Sequence, residues 1–249
     1  WQLSFLIRDP CMLNPDPRIN AYRPDLADIA LREVVSATHY TESVIRQCVR
    51  GVVPMLNEPK LDARQISQIR YGEFLDVFEL RKDGFAWVQN RLDRYVGYIP
   101  SQDVFNDEIA DLSSRINVMQ TFLYAEPDLK SLAVDELTLG SYVRPMTKTN
   151  EFLQLVDGGY VFAKHVAPAK HVETLDYVFT AGRLLNVPYL WGGRTTRGVD
   201  CSGLVQLALD IAGIDAPRDS DQQCEAYGQP LPTHWRDMPW RRGDLVFFK

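Results

Sequence analysis

The feature that most constrains the fold is a change, part-way along the chain, in the period of the apolar residues. From about residue 44 to 168 they come in short runs broken by turn residues, as in Gly51-Val-Val-Pro-Met-Leu56, Phe74-Leu-Asp-Val-Phe78 and Phe85-Ala-Trp-Val88. Runs of this kind read as strands, and the Asp83-Gly84 pair before the third is a hairpin signal. After Lys170 the spacing lengthens to that of a helix. Leu175, Val178, Phe179 and Leu184 can share one buried side before Asn186-Val-Pro188 ends the segment. A second helix is expected over residues 202–212, stopped by Gly213, and a strand over residues 243–248.

Within the β part an internal echo suggests duplication. Phe85-Ala-Trp-Val-Gln89 is followed by Gly97-Tyr-Ile-Pro100, and Phe152-Leu-Gln-Leu-Val156, after the turn residues Asp157-Gly-Gly159, by His165-Val-Ala-Pro168. Each is a strand, a turn and a strand that ends in an apolar-x-Pro step. Two small barrels are expected, over 44–110 and 115–168, with an α+β unit over 172–249. Residues 1–43 read as irregular, broken by Pro10, Pro15, Pro17 and Pro24, with a short helical turn at 25–32.

The chain's 249 residues, 45% hydrophobic and 24% charged, suffice for a multidomain protein with real cores. The net charge of −6 and the lack of a Lys/Arg block disfavour a nucleic-acid partner. No apolar run approaches the ~20 residues of a membrane span. The cysteines (Cys11, Cys48, Cys201, Cys224) are scattered, with neither CxxC pairs nor zinc spacing. Free thiols in a reducing compartment follow, so a cytoplasmic location is expected, with a periplasmic or secreted one as the alternative. The opening Trp1-Gln-Leu-Ser-Phe-Leu-Ile-Arg8 lacks the basic region and cleavage site of a signal peptide, and the missing initiator Met suggests residues upstream.

Chemistry concentrates in Pro188-Tyr-Leu-Trp-Gly-Gly-Arg-Thr-Thr-Arg-Gly-Val-Asp-Cys-Ser-Gly-Leu204. A cysteine attacks as its thiolate, which the N–H groups and dipole of a helix N-terminus favour. Cys201 stands where the loop meets the second expected helix, with Asp200 or Ser202 able to cap it. Gly192, Gly193 and Gly198 let the backbone turn tightly, Tyr189 offers a hydroxyl and Trp191 a flat wall. A packing cysteine needs no such loop; an acyl-transfer nucleophile does.

The segments Pro188-Tyr-x-Trp-Gly-Gly193 and Gly198-x-Asp-Cys-Ser-Gly-Leu-Val205, with the later Arg242-Gly-Asp-Leu-Val-Phe-Phe248, resemble the signature of the NlpC-type cell-wall cysteine peptidases. The preceding β modules resemble bacterial SH3 domains. The resemblance implies a papain-like α+β domain behind two SH3-like barrels, cut short at its C-terminal end, and a thiol peptidase that needs no cofactor. Cys201 is then the nucleophile and Tyr189 an oxyanion donor. With the SH3 modules and Arg218-Asp-Ser220, the chain is similar to the dipeptidyl-peptidase VI group. Those enzymes cleave γ-D-glutamyl-diamino-acid bonds of murein peptides such as L-Ala-γ-D-Glu-diaminopimelate, with a free N-terminal L-Ala. Trp191, Asp200, Ser202 and Ser220 match positions lining the amine pocket, and Tyr98 and Glu58 of the first barrel are further wall candidates.

One family element has no match. The base histidine follows the Gly-Asp-Leu-Val-Phe-Phe strand in the family, whereas His39, His165, His171 and His234 all lie before it. A chain cut short of its histidine is the expectation. The alternatives are an inactive wall-binding protein and an amidase or acyltransferase on the same scaffold.

Overall fold

The computed structural model describes residues 15–102, 105–106, 113–169, 176–229 and 239–248. The polypeptide enters through an N-terminal strap in which β1 (Leu26–Asp28) pairs in parallel with β2 (His39–Thr41). The expected helical turn at 25–32 is therefore only the 3-10 turn Ile29–Leu31, which Asp28 caps through Ala30 N, with a strand before it.

Strands β3 (Val44–Cys48), β4 (Val52–Leu56), β5 (Gln65–Arg70), β6 (Phe74–Leu80), β7 (Phe85–Asn90), β8 (Val96–Pro100) and β9 (Phe105–Asn106) form one sheet in the order β5-β4-β8-β7-β6-β3-β9. The Asp83-Gly84 turn works as its residues imply. Gly84 takes φ +85°, and Arg81 N and Phe85 O close the β6–β7 hairpin at 2.8 Å. Alternate residues of these strands, among them Val53, Met55, Ile69, Leu75, Val77 and Ile99, point into a core shared with Cys48, whose thiol burial pushes up to about 12.

Beyond them, β10 (Ser114–Ile116), β11 (Gln120–Tyr124), β12 (Ala133–Thr138), β13 (Tyr142–Val143), β14 (Pro145–Thr149), β15 (Phe152–Leu155), β16 (Tyr160–Phe162) and β17 (Val166–Pro168) make two sheets, ordered β12-β11-β16-β15-β14 and β13-β10-β17. Neither β region closes into a barrel among the described residues. In the first, edge strand β5 directs its polar groups to the loop before Cys201 rather than to β9. The repeat is also only partial. Phe85 and Pro100 are cross-strand partners in one hairpin, but Val166–Pro168 leaves the β15–β16 hairpin to pair with β10 in the other sheet.

Helices α1 (Tyr177–Arg183), α2 (Cys201–Ile211) and α3 (Ser220–Tyr227) follow, with the short pair β18 (Arg194–Thr195) and β19 (Gly198–Val199) before α2. Leu184, Leu207 and Ile211 bury against Leu139 of the second β region. Gly213 takes φ +74° just beyond the C-cap of α2, as expected for a left-handed stop. The strand expected over 243–248 is not formed. An apolar run becomes a strand only beside another strand, and among the described residues no strand pairs with it.

Candidate active site

Asp200 organises the site. As N-cap of α2 it accepts from Gly203 N at 2.7 Å, and its other oxygen accepts from Gly192 N at 2.9 Å. One carboxylate thus ties the helix start to the loop before it. Arg218 binds the same carboxylate with two nitrogens, at 3.1 and 2.7 Å, and also reaches Ser202 Oγ at 3.0 Å and Ser67 Oγ of β5 at 3.1 Å. Burial pulls the Arg218 pKa down, but Asp200 and the nearby acids outweigh it, and the guanidinium stays firmly charged. Gly203 is required by space: a Cβ there would stand 2.0 Å from Gly193 O. Gly192 is required by its φ of +73°.

This packing leaves Cys201 exposed as the first residue of α2. At the far end, Arg115 donates to the carbonyls of Asp210 and Ile211 at 3.2 and 2.7 Å, satisfying acceptors left open at a helix C-terminus. The helix is held at both ends, so the backbone that carries Cys201 is held in place.

A cleft of about 310 Å³ opens over the thiol. Tyr189, Trp191, Asp200, Cys201, Ser202 and Ser220 all line it. Tyr189 and Trp191 are 66% and 59% exposed, so their side chains are available to a ligand. Burial, then the neighbouring Cys201 and Asp200, holds the Tyr189 phenol above its ordinary pKa, protonated and able to donate.

Tyr98 and Glu58 do not line this cleft. Tyr98 lies under Arg23, whose guanidinium stands 5.9 Å from its ring and donates to its hydroxyl at 3.3 Å. Glu58 is a solvated loop charge paired with Lys60 at 2.8 Å. The first β region contributes Arg64, Ile66 and Tyr95 instead, and the strap contributes Arg18. Arg18 bridges Asp219 and Asp221 of the α3 start, each at 2.8 Å, and also pairs with Asp16 at 2.7 Å. Tyr95 donates to Asp219 at 3.0 Å. Only the Arg218-Asp219-Ser220 motif pointed towards this end of the cleft; Arg18, Arg64 and Tyr95 carry no local signal.

Neither described histidine belongs to the site. His39 is on β2, and His165 is bonded to Thr121 Oγ1 at 2.7 Å in the second β region, its pKa lowered by burial. His171 and His234 lie outside the described residues, as does Cys11. No group of His, Cys, Asp and Glu able to hold a metal occurs among the described residues.

Residues 186–249 match the NlpC/P60 family model, covering the loop, Cys201 and α2 together. This segment is an NlpC/P60 domain. Residues 55–104 match the bacterial dipeptidyl-peptidase SH3 domain, so the NlpC/P60 domain, a cysteine-peptidase domain, here sits against an SH3 domain of its dipeptidyl-peptidase relatives. Dipeptidyl-peptidase 6 of Lysinibacillus sphaericus is 29% identical over 77% of this chain and 76% of its own length. The gamma-D-glutamyl-L-lysine dipeptidyl-peptidase of Bacillus cereus is 26% identical over 62% of this chain, which spans 49% of that relative. The crystal structure of an NlpC/P60 family protein from Bacillus cereus superposes with a TM-score of 0.62 at 16% identity, covering 73% of this chain and 77% of that one, a likeness of fold.

Proposed function

We propose that Cys201 is the nucleophile of a cysteine peptidase that hydrolyses the γ-D-glutamyl-diamino-acid bond of small murein peptides with a free N-terminal L-Ala, in the intracellular recycling of wall peptides. The observation that carries this reading is the shape and charge of the cleft. One end holds Cys201 at a helix N-terminus, and the strap and SH3 region wall the other with Arg18 and Tyr95 around Asp219. A walled cleft favours a peptide that ends there, and an acidic group at the wall favours an ammonium terminus.

In this reading the Cys201 sulfur attacks the γ-carbonyl carbon. The Tyr189 hydroxyl and the N–H of Cys201 itself hold the oxyanion. Collapse breaks the C–N bond and leaves a thioester. The thiol proton, taken by a general base, goes to the departing amine, and water then cleaves the thioester to release L-Ala-γ-D-Glu. His39 and His165 stand elsewhere, so that base is not one of the described histidines.

The test is hydrolysis of L-Ala-γ-D-Glu-diaminopimelate by the full-length protein. Turnover should fall by roughly 10³-fold or more in Cys201→Ala, and kcat/KM should drop when the peptide amine is acetylated. Undiminished turnover in Cys201→Ala, or equal rates on free and acetylated peptide, overturns the reading.

A further inference from the structure

Charge is paired unevenly around the cleft. Asp200 is neutralised by Arg218. Asp219 and Asp221 share one guanidinium, Arg18, with Asp16, so three carboxylates face one cation and that end stays acidic. Arg64 differs from both. It lines the same cleft beside Ile66, Trp191 and Cys201, is exposed, and has no side-chain hydrogen-bond or ion-pair partner among the described residues.

Its backbone, by contrast, is fixed. Asn57 N donates to Arg64 O at 3.1 Å, and the next side chain, Gln65, donates to Trp191 O at 2.9 Å. The turn at Gly192 packs so closely on Gln65 that a Cβ there would stand 3.0 Å from the Gln65 backbone. Arg64 is therefore an unspent cation planted at the rim of the nucleophile loop, next to an apolar side chain. A guanidinium in that position presents a fork that matches a carboxylate with two donors.

We propose that Arg64 is the carboxylate-recognising residue of the cleft, selecting peptides whose reacting residue keeps a free α-carboxylate beside the carbonyl that Cys201 attacks. This rests on the γ-glutamyl reading above. A γ-linked glutamyl residue carries such a carboxylate a short aliphatic stem from its scissile carbonyl. An α-linked one spends it in the peptide bond, and an α-amidated one presents a neutral group with a single acceptor. The cleft then reads both ends of a short zwitterionic segment, with Asp219 and its neighbours on the ammonium side and Arg64 on the carboxylate side.

The experiment is calorimetric titration of the full-length Cys201→Ala protein, which binds without consuming its ligand. The probes are L-Ala-γ-D-Glu-diaminopimelate and the same peptide with the glutamyl α-carboxylate converted to the amide. The acid peptide should bind roughly tenfold more tightly than the amide. Arg64→Gln should erase that preference by weakening the acid peptide alone, and Arg64→Lys should restore part of it. Equal loss for both peptides, no change for either, or no measurable binding of the acid peptide overturns the proposal. Turnover without a carboxylate preference would sink the role of Arg64 and leave Cys201 as nucleophile. A carboxylate preference in binding, with no Cys201-dependent turnover, would do the reverse.

Discussion

At the scale of single residues the site depends on Asp200 more than on any other side chain. It caps α2, fastens the loop through Gly192 N and neutralises Arg218, whose side chain is 1% exposed. Removing one member of a buried pair leaves the other charge uncompensated, which costs about 3–5 kcal/mol, and a lost N-cap adds about 1 kcal/mol. Asp200→Ala is therefore expected to lower the unfolding free energy by several kcal/mol in urea denaturation and to slow alkylation of Cys201 by iodoacetamide. Asp200→Asn keeps an acceptor for Gly203 N but loses the charge, so its stability should lie between the two. Gly203→Ala tests the same junction by volume alone. With Gly193 O only 2.0 Å from the new Cβ, helix and loop must separate, and thiol reactivity should fall even where the overall fold survives.

At the scale of elements, the α3 start is fastened to the strap chiefly by ion pairs. Arg18 holds the carboxyls of Asp221 and Asp16 below the usual range. Groups so depressed add stability above the ordinary carboxylate pKa of about 4, and lose it as pH falls through their folded values. The strap should thus hold at neutral pH and loosen below about pH 4, with hydrogen exchange at residues 18–22 rising before that of β4–β8. Exposure of Asp221, at 65%, keeps the effect small and sensitive to salt. What was legible beforehand follows the same division. The β6–β7 hairpin, the N-terminus of α2 and the glycine stop after it are set by neighbours within a few residues, so period and turn chemistry exposed them. So was the glycine-rich loop before Cys201, for the same reason. Arg18 meets Asp219 across 201 positions, and Gln65 meets Trp191 through the packing of a strand edge on a loop, contacts that no local pattern encodes. The run at 243–248 was misread because a strand is a property of a pair, and its apolar residues say nothing of the partner.

At the scale of the whole molecule, a buried polar knot is among the contacts that join the SH3 region to the NlpC/P60 domain. Glu73 accepts from Arg70 Nε at 2.7 Å, from Asn90 at 2.8 Å and from Arg194 of the loop before Cys201 at 3.0 Å, while Arg70 also reaches Asp210 of α2 at 2.5 Å. Burial raises the Glu73 pKa, but the two guanidiniums outweigh it and the carboxyl stays below its usual range, charged. Around the knot, Gln68 Oε1 accepts from Arg194 N at 3.0 Å and from Thr195 Oγ1 at 3.1 Å, so the edge of β5 is spent on the loop. An interface built this way couples the stability of both regions, because Arg70 joins Glu73 to Asp210 of α2 and Arg194 pairs with no other carboxylate among the described residues. Glu73→Gln keeps the shape and removes the charge that Arg70 and Arg194 share. It should cost about 3–5 kcal/mol and lower the midpoint of thermal unfolding by several degrees. Calorimetry should show a single transition in the parent protein and, in Glu73→Gln, loss of the NlpC/P60 domain before that of the SH3 sheet. The sign with pH agrees: a depressed carboxyl contributes above about pH 4 and is lost in acid, so the gap between parent and variant should narrow as pH falls. Two independent transitions in the parent protein, or a gap unchanged from pH 7 to pH 3, would show that the regions are merely adjacent. The cleft would then owe nothing to this knot, and Cys201 should react equally fast in the parent and in Glu73→Gln.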